Sequence, residues 1–209
     1  MRVVLHDICK NIKGVTVLNH ISLELEGGNV YGFQGKNGCG KTMLMRTICG
    51  LIRPTSGQVI LNGEILGKDI SFPRSAGVLI ENPSFLNGYT GFQNLQLLSE
   101  LRDHLSPEEI HHVLSEVGLE PTDKRVYRKY SLGMKQKLGI AAAVMGAPEL
   151  VILDEPINAI DEAGVRNVRD ILQKLKDKGS VIIIACHDRE ELELLSDQIF
   201  KMEAGGIVT

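Results

Sequence analysis

Gly35-Lys36-Asn37-Gly38-Cys39-Gly40-Lys41-Thr42 decides how this chain is read. The stretch spells G-x-x-x-x-G-K-T, the P-loop pattern. A nucleoside triphosphate packs several negative oxygens into a small volume. Backbone N–H groups approach them closely only where side chains are absent, which accounts for Gly35, Gly38 and Gly40. Lys41 supplies a mobile positive charge for the β- and γ-phosphates, and the Thr42 hydroxyl is placed for Mg²⁺. The flanks agree: Val30-Tyr31-Gly32-Phe33 predicts a short buried strand, and Met43-Leu44-Met45-Arg46-Thr47-Ile48 the first turns of a helix whose N-terminus favours an anion. Cys39 is read as a small residue at a variable loop position, because position alone does not make a thiol reactive.

A second constellation lies downstream. Val151-Ile152-Leu153-Asp154-Glu155-Pro156 is an apolar strand that delivers two carboxylates at its C-terminal end, where ligands bind in an open parallel sheet. Asp154 can hold Mg²⁺, commonly through water, and Glu155 can polarise a water aimed at a γ-phosphate. His187 directly follows a further apolar run, Val181-Ile182-Ile183-Ile184-Ala185, and could donate a hydrogen bond to a γ-phosphate oxygen.

Patterning fills in the rest. Ile21-Ser22-Leu23-Glu24-Leu25-Glu26 alternates as a half-buried strand does, and Gly27-Gly28-Asn29 is a turn. Residues 50–57 read as a loop. Gln58-Val59-Ile60-Leu61 reads as a strand closed by the hairpin pair Asn62-Gly63, and residues 76–80 as another buried strand. From 83 to 148 the pattern turns helical: Phe92, Leu95, Leu98 and Leu101 share a spacing, Ser106-Pro107-Glu108-Glu109 is a capping box with proline at the first helical position, and Gly118 sits where a helix stops. From 150 onward strands and helices alternate. Residues 162–178 set Val165, Val168, Leu172 and Leu175 on one helix face, and a short acidic helix follows His187. Continuous apolar strands separated by helices indicate a parallel sheet covered on both faces.

The bulk properties exclude several classes. The chain has 209 residues, 43% hydrophobic and 23% charged, as expected of a single domain that buries a core. A net charge of −3 argues against nucleic acid as a partner. The basic run Lys124-Arg125-Val126-Tyr127-Arg128-Lys129 reads as a solvated face. No apolar run reaches the ~18 residues that span a bilayer, and Met1 to His6 lacks the apolar core of a signal peptide. Cys9, Cys39, Cys49 and Cys186 contain no C-x-x-C, which points to a reducing, cytosolic compartment and away from a zinc site.

Tyr130-Ser131-Leu132-Gly133-Met134-Lys135-Gln136-Lys137-Leu138, about twenty residues before the carboxylate pair, resembles the signature motif of ATP-binding cassette (ABC) ATPases. Its Ser-Leu-Gly-Met-Lys-Gln form is similar to that of the bacitracin and lantibiotic exporter or immunity subfamily. The resemblance covers essentially the whole chain. It implies an α/β P-loop NTPase fold with a mainly parallel sheet core, an N-terminal antiparallel β subdomain and a helical signature subdomain. The core would be 1–82 with 149–209, and the helical part 83–148, in one domain.

It also implies roles. Gly35, Lys36, Asn37, Gly38, Cys39, Gly40, Lys41, Thr42 and the following Met43 would hold ATP, and Thr42, Asp154 and Glu81 would bind Mg²⁺. Glu155 would be the catalytic carboxylate, His187 the switch histidine, and Asp161, in Asn158-Ala159-Ile160-Asp161, the D-loop aspartate. Ser131, Gly133 and Met134 would contact ATP on a second copy, giving a head-to-tail dimer that drives a separate transmembrane permease from the cytoplasmic face. Three positions depart from the family pattern. Glu81 stands where a glutamine is usual, and an ionised carboxylate can ligate Mg²⁺ but cannot donate a hydrogen bond. Ile12 stands where an aromatic residue usually stacks on adenine, which predicts weaker base binding. Leu132 replaces the first glycine of the common signature. The alternative reading is a soluble ABC ATPase driving a non-transport machine, although the long inserts or second cassette of such proteins are not seen. A GTP switch lacks its Asn-Lys-x-Asp segment, and a regulatory subunit without turnover is disfavoured by Glu155 and His187.

Overall fold

A computed structural model describes residues 1–101, 104–187 and 189–208. The chain opens with β1 (Arg2–Ile12), β2 (Val15–Glu26) and β3 (Asn29–Gln34), then α1 (Lys41–Ile48), β4 (Ser56–Leu61), β5 (Glu64–Ile65) and β6 (Ala76–Leu79). Helices α2 (Gly91–Glu100), α3 (Pro107–Glu116) and α4 (Leu132–Val144) follow. The chain closes with β7 (Leu150–Asp154), α5 (Glu162–Asp177), β8 (Val181–Cys186), α6 (Arg189–Leu195), β9 (Gln198–Glu203) and β10 (Gly206–Val208).

The strands form two sheets. One is antiparallel, in the order β2-β1-β4-β5; the other has six strands, in the order β10-β9-β3-β8-β7-β6. In the larger sheet β9, β3, β8, β7 and β6 run parallel, and only β10 is antiparallel. Every residue of β7 and β8 is buried, which is why both read as unbroken apolar runs. Their side chains alternate between two cores. Val151, Leu153, Ile182 and Ile184 face the helices, with Leu95, Leu138 and Leu172. Leu150, Ile152, Val181 and Ile183 face the antiparallel sheet and α1, with Leu5, Leu25, Leu44 and Ile48. The large sheet is thus covered on both faces, as expected.

Local chemistry sets the boundaries. Asn62 and Gly63 have φ of 49° and 87°, and Leu61 pairs with Glu64, so the pair forms the predicted two-residue hairpin with both residues left-handed. Helix α3 begins with Ser106 accepting from the Glu109 amide (3.2 Å) while Glu109 accepts from the Ser106 amide (2.8 Å). It ends at Gly118, φ 74°, where Leu119 N–H donates to Leu114 (2.9 Å) and Gly118 N–H to Ser115 (2.9 Å), the double bond of a Schellman stop. Thr90 and Gln93 make a second capping box, at α2, that the sequence reading did not single out.

Three expectations need correction. Strand β6 is an edge strand rather than a fully buried one: Val78 is 38% exposed, with only β7 as neighbour. Helix α1 starts at Lys41 rather than Met43, so Lys41 and Thr42 are its first residues. Leu101 does not share the buried face of α2; it is 83% exposed. Spacing by three turns about 300° per step, so three steps from Phe92 carry Leu101 about 180° around the helix. Strands β9 and β10, absent from the sequence reading, add a further edge beside β3.

The first hairpin carries three register shifts, at Leu5/Ile8, Ile8/Lys10 and Lys10/Asn11, and the first two are bulges that flank the Ile8–Ile21 pair. Leu5 pairs with Leu23, Ile8 with Ile21 and Lys10 with Leu18, so His6 and Asp7 oppose the single Ser22, and Cys9 opposes Asn19 and His20. Asp7 and His20 are left-handed, φ 51° and 48°. Each strand thus carries one extra residue on either side of the Ile8–Ile21 pair.

These assignments predict a contrast. Ser106→Ala should cost about 1 kcal/mol and lower the thermal midpoint by about 2–4 °C, because it orphans an N-terminal amide. Leu101→Ser should change stability by less than about 0.5 kcal/mol. Thermal unfolding of both variants checks this; a larger loss for Leu101→Ser contradicts the placement.

Candidate active site

Strands β3, β6, β7 and β8 end on the same edge of the large sheet, at Gln34, Leu79, Asp154 and Cys186. That edge is where an open parallel sheet presents ligands. The P-loop leaves β3 and feeds α1. Its glycines are required by space and by backbone. A Cβ on Gly35 would lie 2.5 Å from Cys39 Sγ and 2.6 Å from the Met202 carbonyl oxygen; one on Gly40 would lie 2.8 Å from the Val17 carbonyl oxygen. Gly38 and Gly40 also have φ of 82° and 110°. Lys41 Nζ donates to the Gly35 carbonyl at 2.5 Å and lies against that of Lys36 at 3.4 Å.

The Thr42 hydroxyl donates to Asp154 Oδ2 at 2.7 Å. Asp154 is buried, and desolvation pushes its pKa up. The Thr42 hydrogen bond opposes this, the Glu155 charge adds to it, Lys41 opposes it and Glu81 adds a smaller push. Glu155 follows at φ 50° and its amide donates to the Ala185 carbonyl at 2.8 Å. A left-handed non-glycine residue costs of order 1–2 kcal/mol, and here it bends the chain sharply after β7. His187, just past β8, sets Nδ1 3.1 and 3.0 Å from the two Glu155 carboxylate oxygens. Two carboxylates and an imidazole from adjacent strand ends therefore meet the P-loop.

The P-loop and both carboxylates border a cleft of about 450 Å³. Asn37, Gly38, Gly40, Lys41, Thr42, Met43, Glu81, Asp154 and Glu155 line it, as do four residues the sequence reading assigned no role: Val17, Asn82, Gln136 and Asn158. Buried Gln136, on α4, donates through Nε2 to the carbonyls of Glu155 (3.0 Å) and Pro156 (3.2 Å), tying the signature helix to the carboxylate loop of its own chain. The signal for it was present as a lone amide amid Lys135 and Lys137, but nothing in the sequence shows which carbonyls it reaches. Glu81, at φ 62°, pairs with Arg46 Nη2 at 2.7 Å. A larger surface hollow of about 870 Å³ lies between α3, α5 and the end of α4, remote from these groups.

Several predicted site residues lie outside the cleft. His187, Gly35, Lys36 and Cys39 instead share a neighbouring hollow with Lys201 and Met202. Ile12 is 39% exposed at the far end of β1; Val17, beyond the hairpin turn, lines the cleft instead. Ser131, Gly133 and Met134 open α4, with Ser131 Oγ accepting from the Met134 amide at 3.2 Å. None of the three borders the chain's own cleft. Asp161 caps α5, accepting from the Gly164 amide (3.2 Å) and pairing with Lys137 Nζ (2.9 Å). The oxygen donors of Thr42, Asp154 and Glu81 make a hard-ligand set that fits Mg²⁺.

A glycine cradle at a helix N-terminus, with paired carboxylates at the next strand ends, defines a P-loop nucleotide-binding domain. The "ABC transporter" family model matches residues 18–158. The chain is 46% identical over 203 residues to an ABC transporter ATP-binding protein of Bacillus subtilis, YybJ, covering 97% of this chain and 93% of that one. It is 41% identical to the bacitracin transport ATP-binding protein BcrA of Enterococcus faecalis, covering 97% of this chain but 66% of the relative. It is 36% identical to the lantibiotic transport ATP-binding protein SrtF of Streptococcus pyogenes, covering 92% and 83%. A solved ATP-binding subunit of an ABC transporter superposes with TM-score 0.89 at 25% identity, over 100% of this chain and 89% of that one. A dimeric ATP-binding cassette solved with ADP and phosphate shares the fold, with TM-score 0.87 at 22% identity over 99% and 97%. The chain belongs to the ABC transporter family, as an ATP-binding subunit.

The buried charge of Asp154 has a stability consequence. The folded chain holds this proton more tightly than the unfolded chain, so the group lowers stability as pH rises from the ordinary Asp range through its raised value. Asp154→Asn should therefore raise the thermal midpoint of the nucleotide-free chain at neutral pH. The gain should vanish below the ordinary carboxylate range. A variant less stable than its parent at neutral pH contradicts this.

Proposed function

We propose that this chain hydrolyses ATP to ADP and phosphate and that turnover powers a separate membrane permease exporting peptide-like antibiotics. The observation that carries the ATPase reading is the cluster at the strand ends, with Thr42 bonded to Asp154 and His187 facing Glu155 across 3.0 Å. The P-loop amides and Lys41 bind and orient the phosphates. Thr42, Asp154 and Glu81 would hold Mg²⁺, which when bound neutralises phosphate charge. Glu155 takes the proton from the attacking water, and His187, with both ring nitrogens protonated, fixes its carboxylate through Nδ1–H and donates Nε2–H toward the γ-phosphate. Gln136 holds the backbone that carries Glu155. Arg46 balances the charge that Glu81 brings where a neutral amide is usual. Val17 borders the cleft and offers no aromatic face, and neither does Ile12 at the end of β1, so base recognition is weak.

Ser131, Gly133 and Met134 complete the site from a second subunit. They lie outside their own cleft, while Ser131 and the amides of the first turn of α4 make an anion site. Asp161 sits between them and α5 through Lys137 and aligns the two halves. ATP would close a head-to-tail dimer and hydrolysis would reopen it. Among the described residues no helix is long and apolar enough to cross a membrane. A separate permease, with this subunit on its cytoplasmic face, is the partner that the transport ATP-binding relatives support. The cargo assignment rests on the bacitracin and lantibiotic relatives.

Glu155→Gln should lower steady-state ATP turnover by about 10²–10⁴-fold, the usual worth of a general base, while ATP affinity stays within a few-fold of the parent. Turnover near the parent rate would remove Glu155 from the role given to it.

A further inference from the structure

Two groups of three metal-ligating side chains come together among the described residues. One is Glu155, Cys186 and His187, at the nucleotide site; the other is Asp7, Cys9 and His20, in the first hairpin. None of the second group borders the nucleotide cleft. We propose that Asp7, Cys9 and His20 form a binding site for Zn²⁺.

The two bulges of the first hairpin build this site. In a regular antiparallel pair, Asp7 and His20 would be set by the pleat and would not converge on Cys9. One extra residue in β1 and one in β2, on either side of the Ile8–Ile21 pair, turn both backbones left-handed. The result is a carboxylate, a thiol and an imidazole whose ligand atoms all lie within 4.8 Å of one another. Asp7 is held by its amide, which donates to Ser22 Oγ at 3.0 Å. The His20 amide donates to Cys9 Sγ at 3.3 Å, which fixes the sulfur beside the second strand. Cys9 is buried, so its sulfur is fixed from below, while Asp7 and His20 open to solvent and give an entry path.

The donor set selects the ion. One thiolate, one imidazole and one carboxylate, with water as fourth ligand, suit Zn²⁺ and not the harder Mg²⁺ or Ca²⁺. Ordinary Zn–S, Zn–N and Zn–O lengths in a tetrahedron separate the ligand atoms by about 3.3–3.6 Å. His20 Nδ1 and Asp7 Oδ1 stand 2.6 Å apart, within hydrogen-bond distance. Binding thus requires the exposed Asp7 carboxylate to swing back by roughly 0.7 Å, leaves His20 Nδ1 unprotonated with the ring proton on Nε2, and releases the Cys9 thiol proton to solvent. No C-x-x-C announces the site, because its ligands come from two strands and are gathered by bulges.

The test is titration of the full chain with Co²⁺ as a spectroscopic stand-in for Zn²⁺, followed by Zn²⁺ competition. The expected result is a thiolate-to-Co²⁺ charge-transfer band that saturates at one equivalent, is displaced by Zn²⁺, and persists in Cys186→Ser. Cys9→Ser should abolish the band. His20→Asn and Asp7→Asn, which suit a left-handed backbone and alter only exposed groups, should each weaken Co²⁺ and Zn²⁺ affinity by about tenfold or more; they decide the matter if Cys9→Ser does not fold. No band in the parent, a band lost in Cys186→Ser, or unchanged affinity in both asparagine variants overturns the proposal. ATP turnover enters none of these readouts, so the result is independent of the ATPase reading.

Discussion

Thr42 and Asp154 are 112 residues apart in sequence, and a 2.7 Å hydrogen bond joins them. The bond exists only because β3 and β7 both pair with β8 in parallel register, so that a loop leaving one strand and a carboxylate ending another face each other across a single strand. Parallel pairing in turn demands that both faces of the sheet be covered, by α2–α5 on one side and by the antiparallel sheet with α1 on the other. The bond also has a cost: Asp154 is kept from water, and its ionised form is disfavoured until a cation or the Lys41 charge compensates it. A stable core and a poised site are thus two consequences of the same strand order.

On the proposed reading, the signature helix would serve two sites at once. Within its own chain, Gln136 reaches back to the carbonyls beside Glu155, and Lys137 pairs with the Asp161 cap of α5. Its first turn, Ser131 to Met134, points away from its own cleft. A displacement of α4 by a neighbouring subunit would be felt at Glu155 through Gln136 and at α5 through Lys137. This gives a physical link between closure on a second subunit and the position of the catalytic carboxylate.

What the sequence made legible follows from how local each signal is. The P-loop, the carboxylate-ended strand, the Ser106 box, the Asn62-Gly63 hairpin and the Gly118 stop depend on a few adjacent residues, and the structure places each as read. Leu101 was misread because a three-residue spacing loses register with a 3.6-residue turn. Strand β6 was misread because an apolar run does not reveal whether a strand is central or at an edge. Strands β9 and β10 were missed because Gln198–Val208 is short and mixed, and is made a strand by pairing with β3. Gln136, Val17 and the Asp7–Cys9–His20 cluster were missed because their meaning lies in contacts between distant segments. Ile12 was placed by family resemblance, and it lies outside the residues that line the cleft.

The most direct test of the two-subunit site is the mass in solution of the Glu155→Gln chain, by light scattering after gel filtration, with and without Mg²⁺-free ATP. The account predicts one chain without nucleotide and two with it. A mass that stays at one chain while ATP binding is independently verified would contradict the assignment of Ser131, Gly133 and Met134 to the ATP of a second identical copy.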